Sequence, residues 1–300
     1  MIDIAFEKPL VSNGYTLAPE QLGWLTPSDP KLPIERLREQ YRQQGYLWLR
    51  GLLDRREVLA FRRRFFAAFQ ETGLLARGSD PEAGIYSGGG EDKQAMRQIM
   101  AEVVRWAAYE AFCLSRPIVD FYEAFFNGPV YLHKRKLVRF TRPHEPNCTG
   151  AHYDLTYLRA GTDKLCSSWI PLGDTPVEMG GLVYLEGSDA FGRQAEAEFS
   201  AKNAELPPEE RINAYNKNMS ETGWLTKGLP SLSERLGARW LAADYEAGDM
   251  VVHSAYMIHA ATVNENQEGR MRLSTDIRYQ HVRDEIDPRW GEHWSPGDNL

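Results

Sequence analysis

Residues 270–281, RMRLSTDIRYQH, alternate without interruption: Met271, Leu273, Thr275, Ile277 and Tyr279 share one face, and Arg272, Ser274, Asp276, Arg278 and Gln280 share the other. A period of two is the signature of a strand, and no helix satisfies it. The C-terminal half is therefore committed to β-structure with one polar side. Four further segments rich in Val, Tyr, Trp, Leu and Ile, bounded by Gly, Pro, Asn and Asp, extend that reading: VYLHKRKLVRF (130–140), KLCSSWIPL (164–172), GLVYLEGS (181–188) and DMVVHSAYMI (249–258). Their spacing predicts an antiparallel sheet system closing into a sandwich or barrel.

The chain ahead of Gly128 has a different period. IERLREQY (34–41) puts Ile34, Leu37 and Tyr41 on one helical face, and a strand-like GYLWLRGLL (45–53) follows. Asp54, with Glu57 three residues on, reads as a capping box opening a helix whose stripe is Val58, Phe61, Phe65 and Phe69, with arginines opposite. After the Gly-rich break at 84–92, a long helix is expected around Met96, Met100, Val103 and Ala107, and another from Pro117 to Gly128. The expected plan is a single unit over 1–300: a mainly helical flank (1–129), a β-core (130–189 and 240–285), a polar insertion (190–239) and a tail (286–300).

Composition narrows the partners. Against 42 Asp and Glu stand 35 Lys and Arg, a net charge of −7, which argues against nucleic acid or an anionic membrane as ligand. Three cysteines, Cys113, Cys148 and Cys166, without a C-x-x-C pair predict neither a disulfide framework nor a zinc ribbon. MIDIAFEKPL lacks the layout of a secretory signal, and no apolar run approaches the ~20 residues of a membrane span, so a cytoplasmic protein is expected. Oligomeric state is not encoded in any feature of this kind.

The chemistry centres on GAHYDLTY (150–157). In an extended segment His152 and Asp154, at i and i+2, point to one side and can converge on a metal. GDMVVHSAYMIHAATVN (248–264) offers two histidines as a third ligand, His253 and His259. His259 closes the better set, and His253 is read as a packing or supporting residue. Two imidazoles and one carboxylate with open positions form the facial triad of non-haem Fe(II) oxygenases. Arg272 and Ser274, on one strand face, can fork onto a carboxylate through charge-assisted hydrogen bonds, as anchoring the far end of 2-oxoglutarate requires. His133, His144, His281 and His293 read as surface or loop residues, and the basic run HKRKLVRFTRPH (133–144) as a solvated strand face.

These motifs resemble the phytanoyl-CoA dioxygenase-like branch of the Fe(II)- and 2-oxoglutarate-dependent dioxygenases, over roughly residues 41–285. GYLWLRGLLDRREV, GAHYD, SSWIPLGD, GGLVYLEGS, GDMVVHSAYMIHAATVN and RMRLSTDIRYQ carry the likeness. It implies a double-stranded β-helix (jelly-roll) barrel flanked by N-terminal helices, with 190–239 as a lid. It implies that His152, Asp154 and His259 bind Fe(II), that Arg272 with Ser274 anchors 2-oxoglutarate, and that Trp169 walls the cosubstrate site. The His259-to-Arg272 interval is slightly longer than the family's, so Arg270, of the same strand parity, competes as the anchor. The implied reaction uses O₂ to oxidise a small-molecule substrate, releasing succinate and CO₂. Halogenating relatives carry a small residue where Asp154 stands, so hydroxylation is expected, with desaturation, epoxidation or ring closure as variants. Two rivals use the same residues: a cupin-like Zn²⁺ or Mn²⁺ hydrolase or isomerase, and a non-catalytic metal-binding or regulatory protein.

Overall fold

The computed structural model describes residues 6–207, 210 and 224–295. In chain order its strands are β1 (Leu10–Ser12), β2 (Tyr15–Leu17), β3 (Leu22–Trp24), β4 (Pro27–Ser28), β5 (Tyr46–Leu49), β6 (Val130–Leu132), β7 (Leu137–Thr141), β8 (Cys166–Pro171), β9 (Leu182–Leu185), β10 (Trp240–Ala242), β11 (Met250–Ser254), β12 (His259–Ala261) and β13 (Arg272–His281). The helices are α1 (Ile34–Gln44), α2 (Arg55–Ala68), α3 (Lys93–Val103), α4 (Ala107–Cys113), α5 (Arg116–Phe126), α6 (Leu155–Leu158), α7 (Ser188–Lys202) and α8 (Leu229–Leu236).

Beside the β1–β2 hairpin, the described strands form two sheets, not a hydrogen-bonded closed barrel. The larger runs β4-β5-β11-β8-β13-β6, with β7 also on β13, and the smaller runs β12-β9-β10-β3. Antiparallel register carries the alternation of β13 across its sheet: Ser274, Asp276 and Arg278 lie opposite Pro171, Trp169 and Ser167, and Val251 and His253 lie opposite Trp169 and Ser167. Residues so paired share a face.

Three apolar clusters follow from that register. Leu273, Ile277 and Tyr279 of β13, with Ile170, Val252 and Leu47, pack under the phenylalanines of α2 and the Ile118–Tyr122 face of α5. Val183, Leu185, Trp240, Ala242 and Ala260 form the far side of the smaller sheet. Trp48, Trp169, Leu182, Tyr184, Leu241 and Val251 fill the space between the sheets. The apolar face of β13 thus turns outward beneath helices, and its polar face turns inward. That inversion puts five polar side chains where a purely structural sandwich would bury hydrocarbon.

Several local expectations are revised. The helix expected through Ala107 is two helices, α3 and α4, broken around Trp106. Asp54 caps α2 by accepting from the Arg56 amide, and α5 starts at Arg116 rather than Pro117. Arg62 does not lie on a wet face: its guanidinium is buried and donates to the carbonyls of Glu82, Leu172, Ala83 and Met271, tying the 73–92 connection to the end of the larger sheet where β8 stops and β13 starts. The basic run at 133–144 is divided: Lys134, Arg139 and His144 are exposed as expected, whereas His133, Arg135 and Lys136 are buried. Lys136 is fully buried against Glu110, and Arg135 stacks over Trp290 at 5.4 Å.

Two histidines expected outside are inside. His133 is fully buried, bonds Gln280 Oε1 at 2.8 Å, and is held neutral by burial, its pKa pushed down to about 4. His281 is buried because β13 runs to its end. The insertion expected at 190–239 contains most of α7 and all of α8; residues 208, 209 and 211–223 lie outside the described residues, as do 296–300 of the tail. No described helix is long and apolar enough to cross a membrane.

Candidate metal centre

His152 and His259 are brought together by backbone, not by side-chain chance. The two residues form an antiparallel bridge, His152 N donating to His259 O at 3.1 Å and His259 N to His152 O at 2.9 Å. Opposite positions on an antiparallel pair place side chains on one face, and the imidazole centroids lie 4.3 Å apart. Asp154 reaches the same point by a different route. The segment is extended only through the bridge, and Asp154 has turned into the helical region (φ −66°, ψ −29°) as the cap of α6. The i, i+2 convergence expected from strand geometry therefore holds through a turn instead.

Ligand atoms of His152, Asp154 and His259 lie within 4.8 Å of one another, and all three residues are buried. Each imidazole is oriented by its other nitrogen: His152 Nδ1 lies 2.9 Å from the Gly150 carbonyl and His259 Nδ1 lies 3.0 Å from the Met257 carbonyl. A carbonyl only accepts, so Nδ1 carries the hydrogen and Nε2 presents its lone pair. Both Nε2 atoms face Asp154 Oδ1 at 3.7 Å. Burial, above all, lowers both imidazole pKa values, which keeps them in the neutral form that a metal takes.

The other carboxylate oxygen is separately occupied. Asp154 Oδ2 accepts from Ser167 Oγ and from Arg278 Nη2 at 3.1 Å, and His253 Nε2 stands 3.6 Å away. Burial raises the Asp154 pKa, but Arg278, His253 and His259 more than offset it, leaving the carboxyl well below its usual range. His253 is thus a neighbour of the site: fully buried on β11, its Nδ1 3.3 Å from Tyr184 Oη. Sequence reasoning placed Arg278 on the polar face of β13 but gave it no role, and it passed over Ser167 altogether. The alternation of β13 was the available signal for Arg278. Its partner, 124 residues away, was not visible.

The expected anchor residues separate cleanly. Arg272 is buried, and donates to the Gly180 carbonyl and to Thr141 Oγ1 at 2.7 Å. Gly180 has φ +70°, and a Cβ there would strike the Thr262–Val263 backbone, so glycine is what lets its carbonyl meet the arginine. Arg272 Nε and Ser274 Oγ are both buried with no hydrogen-bond partner among the described residues. Two such groups on neighbouring inward positions are a costly arrangement for a protein that never fills it. Arg270, by contrast, is exposed and paired with Glu268 at 2.8 Å, so the structure does not bring it to the site. Trp169 lies in the inter-sheet cluster, edge-on to Tyr245 with centroids 4.7 Å apart.

The ligand-bearing segment is tied to α7. Tyr153, between the two ligand positions, donates to Glu196 Oε2 of α7 at 3.0 Å, and Arg159 pairs with the same carboxylate.

Comparison with known proteins gives a family and a fold. The family model described as phytanoyl-CoA dioxygenase (PhyH) matches residues 41–272. The chain is 27% identical over 255 residues to a 1-deoxypentalenic acid 11-beta-hydroxylase of Streptomyces arenae, covering 82% of this chain and 81% of that protein. It is 26% identical to the Streptomyces exfoliatus protein of the same name, with the same coverage. Among solved structures, the epimerase SnoN in complex with Fe3+, alpha ketoglutarate and nogalamycin RO has 20% identity, a TM-score of 0.55 and coverage of 85% of this chain and 86% of its own. EctD from S. alaskensis with bound Fe has 14% identity and a TM-score of 0.54, covering 94% and 84%. At these identities the structural likenesses speak for the fold alone.

Proposed function

The chain belongs to the phytanoyl-CoA dioxygenase family, and from that membership we propose that it is an Fe(II)- and 2-oxoglutarate-dependent oxygenase that hydroxylates a small molecule. The observation that carries the reading is a buried His–Asp–His set together with Arg272 Nε and Ser274 Oγ, two buried atoms on the inward face of β13 without a hydrogen-bond partner among the described residues. The donor set fits the metal: two neutral nitrogens and one anionic oxygen are what a non-haem Fe(II) site with open positions uses.

Each residue then has a task. His152, His259 and Asp154 Oδ1 would hold the ion. Arg272 and Ser274 would grip the far carboxylate of 2-oxoglutarate, the guanidinium already aimed by Gly180 and Thr141. When bound, iron and 2-oxoglutarate supply the O₂ chemistry that oxidises a C–H bond and yields succinate and CO₂. Trp169, Tyr184 and Val251 keep the space between the sheets apolar and exclude water. Retention of Asp154 favours hydroxylation over halogenation, as does the hydroxylase activity in the relatives' names. Those names point to an organic acid as one substrate class to screen. α7, held by Tyr153 and Arg159, is the described part of the proposed cover.

Fe(II)-loaded protein with 2-oxoglutarate in air should form succinate in step with O₂ consumed, slowly alone and faster with a substrate. A hydrolase or isomerase using the same ligands would consume no O₂ and release no succinate. Succinate-free turnover of any substrate would transfer the site to that class.

A further inference from the structure

Arg278 is the residue of this site that neither the ligand set nor the cosubstrate anchor accounts for. It lies on the inward face of β13, four residues beyond Ser274, and its side chain is only 6% exposed. Burying a guanidinium is costly unless it is paired. Its one side-chain hydrogen bond among the described residues is to Asp154 Oδ2 at 3.1 Å, while Nε and Nη1 have no partner. Its flat face rests on Trp290 at 4.4 Å, an aromatic packing that fixes the plane of the guanidinium. Trp290 is itself pinned, its indole donating to the Tyr157 carbonyl at 3.1 Å and its backbone carbonyl accepting from Arg135. The arginine is thus held by an aromatic ring as well as by the carboxylate.

We propose that Arg278 is the positioning residue of the metal centre. It clamps the Oδ2 edge of Asp154 so that only Oδ1 is offered beside His152 and His259, making the aspartate a one-oxygen ligand. Ser167 Oγ on the same oxygen, and His253 Nε2 at 3.6 Å, support the same orientation from β8 and β11. A carboxylate free to rotate would offer both oxygens to a cation and take up an additional coordination position. Clamping one oxygen reserves that position. The same pair neutralises a fully buried carboxylate when no ion is present, so the site is built before the metal arrives. The proposal rests on the reading of the triad as a metal site, and its test separates the two.

The test uses Co(II) alone as the probe, on the full chain. Wild type, Arg278→Met and Arg278→Lys are titrated by calorimetry, and the visible absorption of the loaded proteins is recorded. Arg278→Met is expected to lose about ten- to a hundredfold in Co(II) affinity and to change the shape of the ligand-field bands, because a released carboxylate alters the coordination number. Arg278→Lys, which keeps a cation beside Oδ2, is expected to recover most of both. Should Arg278→Met fail to fold, Arg278→Gln takes its place with the same readouts. A folded Met or Gln variant with wild-type affinity and spectrum overturns the proposal. Weakened binding with an unchanged spectrum that Lys does not restore does so too, since it would mark a structural role only. Wild type that binds no Co(II) instead defeats the metal-site reading itself.

Discussion

Asp154→Ala is expected to abolish succinate formation to background, and Asp154→Asn to lose at least about a thousandfold, equivalent to roughly 4 kcal/mol of lost stabilisation. The two substitutions fail for different reasons. Both remove the anionic oxygen that Oδ1 presents to His152 and His259 at 3.7 Å. Both also remove the counter-charge of Arg278, a cation with no other hydrogen-bonded side-chain partner among the described residues, but only Ala deletes the acceptor that Arg278 and Ser167 share. Breaking one side of a buried ion pair costs about 3–5 kcal/mol, so Asp154→Ala should also show a lowered thermal midpoint. Asn keeps an acceptor for Arg278 and Ser167 and should unfold closer to wild type. Activity and calorimetry on the pair separate the loss of chemistry from the loss of fold. An Ala variant that turns over normally would remove Asp154 from the site.

The second large effect is expected at Arg272. Arg272→Gln should raise the KM for 2-oxoglutarate by about a hundredfold, since a charge-assisted contact to a carboxylate contributes roughly 1.5–3 kcal/mol and the fork makes more than one. Fe(II) affinity should hardly move, because Arg272 contacts Gly180 and Thr141 and none of the three ligand residues. Arg270→Gln is the internal control. Its guanidinium sits outside with Glu268, and its KM should match wild type. The reverse result, a raised KM from Arg270 and none from Arg272, would relocate the anchor. Arg272→Lys should fall between, as a point charge cannot reproduce a planar fork.

How far the amino-acid order alone led is clearest on β13. Its alternation gave the strand, its two faces and the residues on each, because a period of two depends only on local geometry. Which face turns inward was not local. It depends on the phenylalanines of α2 and on α5 covering the apolar side, and those lie over a hundred residues away. The grouping of the three candidate ligands was legible because His152 and Asp154 are neighbours and His259 follows an apolar run; that His259 opens a separate strand, β12, and that the chain turns at Asp154 were not foreseen.

Arg272 and Arg270 share a parity, and only their tertiary surroundings, buried against Gly180 or exposed beside Glu268, tell them apart. His133 and Lys136 were misjudged for a related reason. A basic run reads as solvated until its partners, Gln280 and Glu110, are known from distant segments. The separation into two sheets was equally non-local, since β3 and β5 come from the first fifty residues and join opposite sheets.

Fe(II) added anaerobically to the wild-type protein, followed by 2-oxoglutarate, tests the central claim most directly through one visible absorption measurement. A metal-to-ligand charge-transfer band should grow with 2-oxoglutarate and saturate at equimolar cosubstrate, and it should be absent when Zn(II) replaces Fe(II). Protein that binds both components by calorimetry yet gives no such band, or that binds neither, would contradict the account.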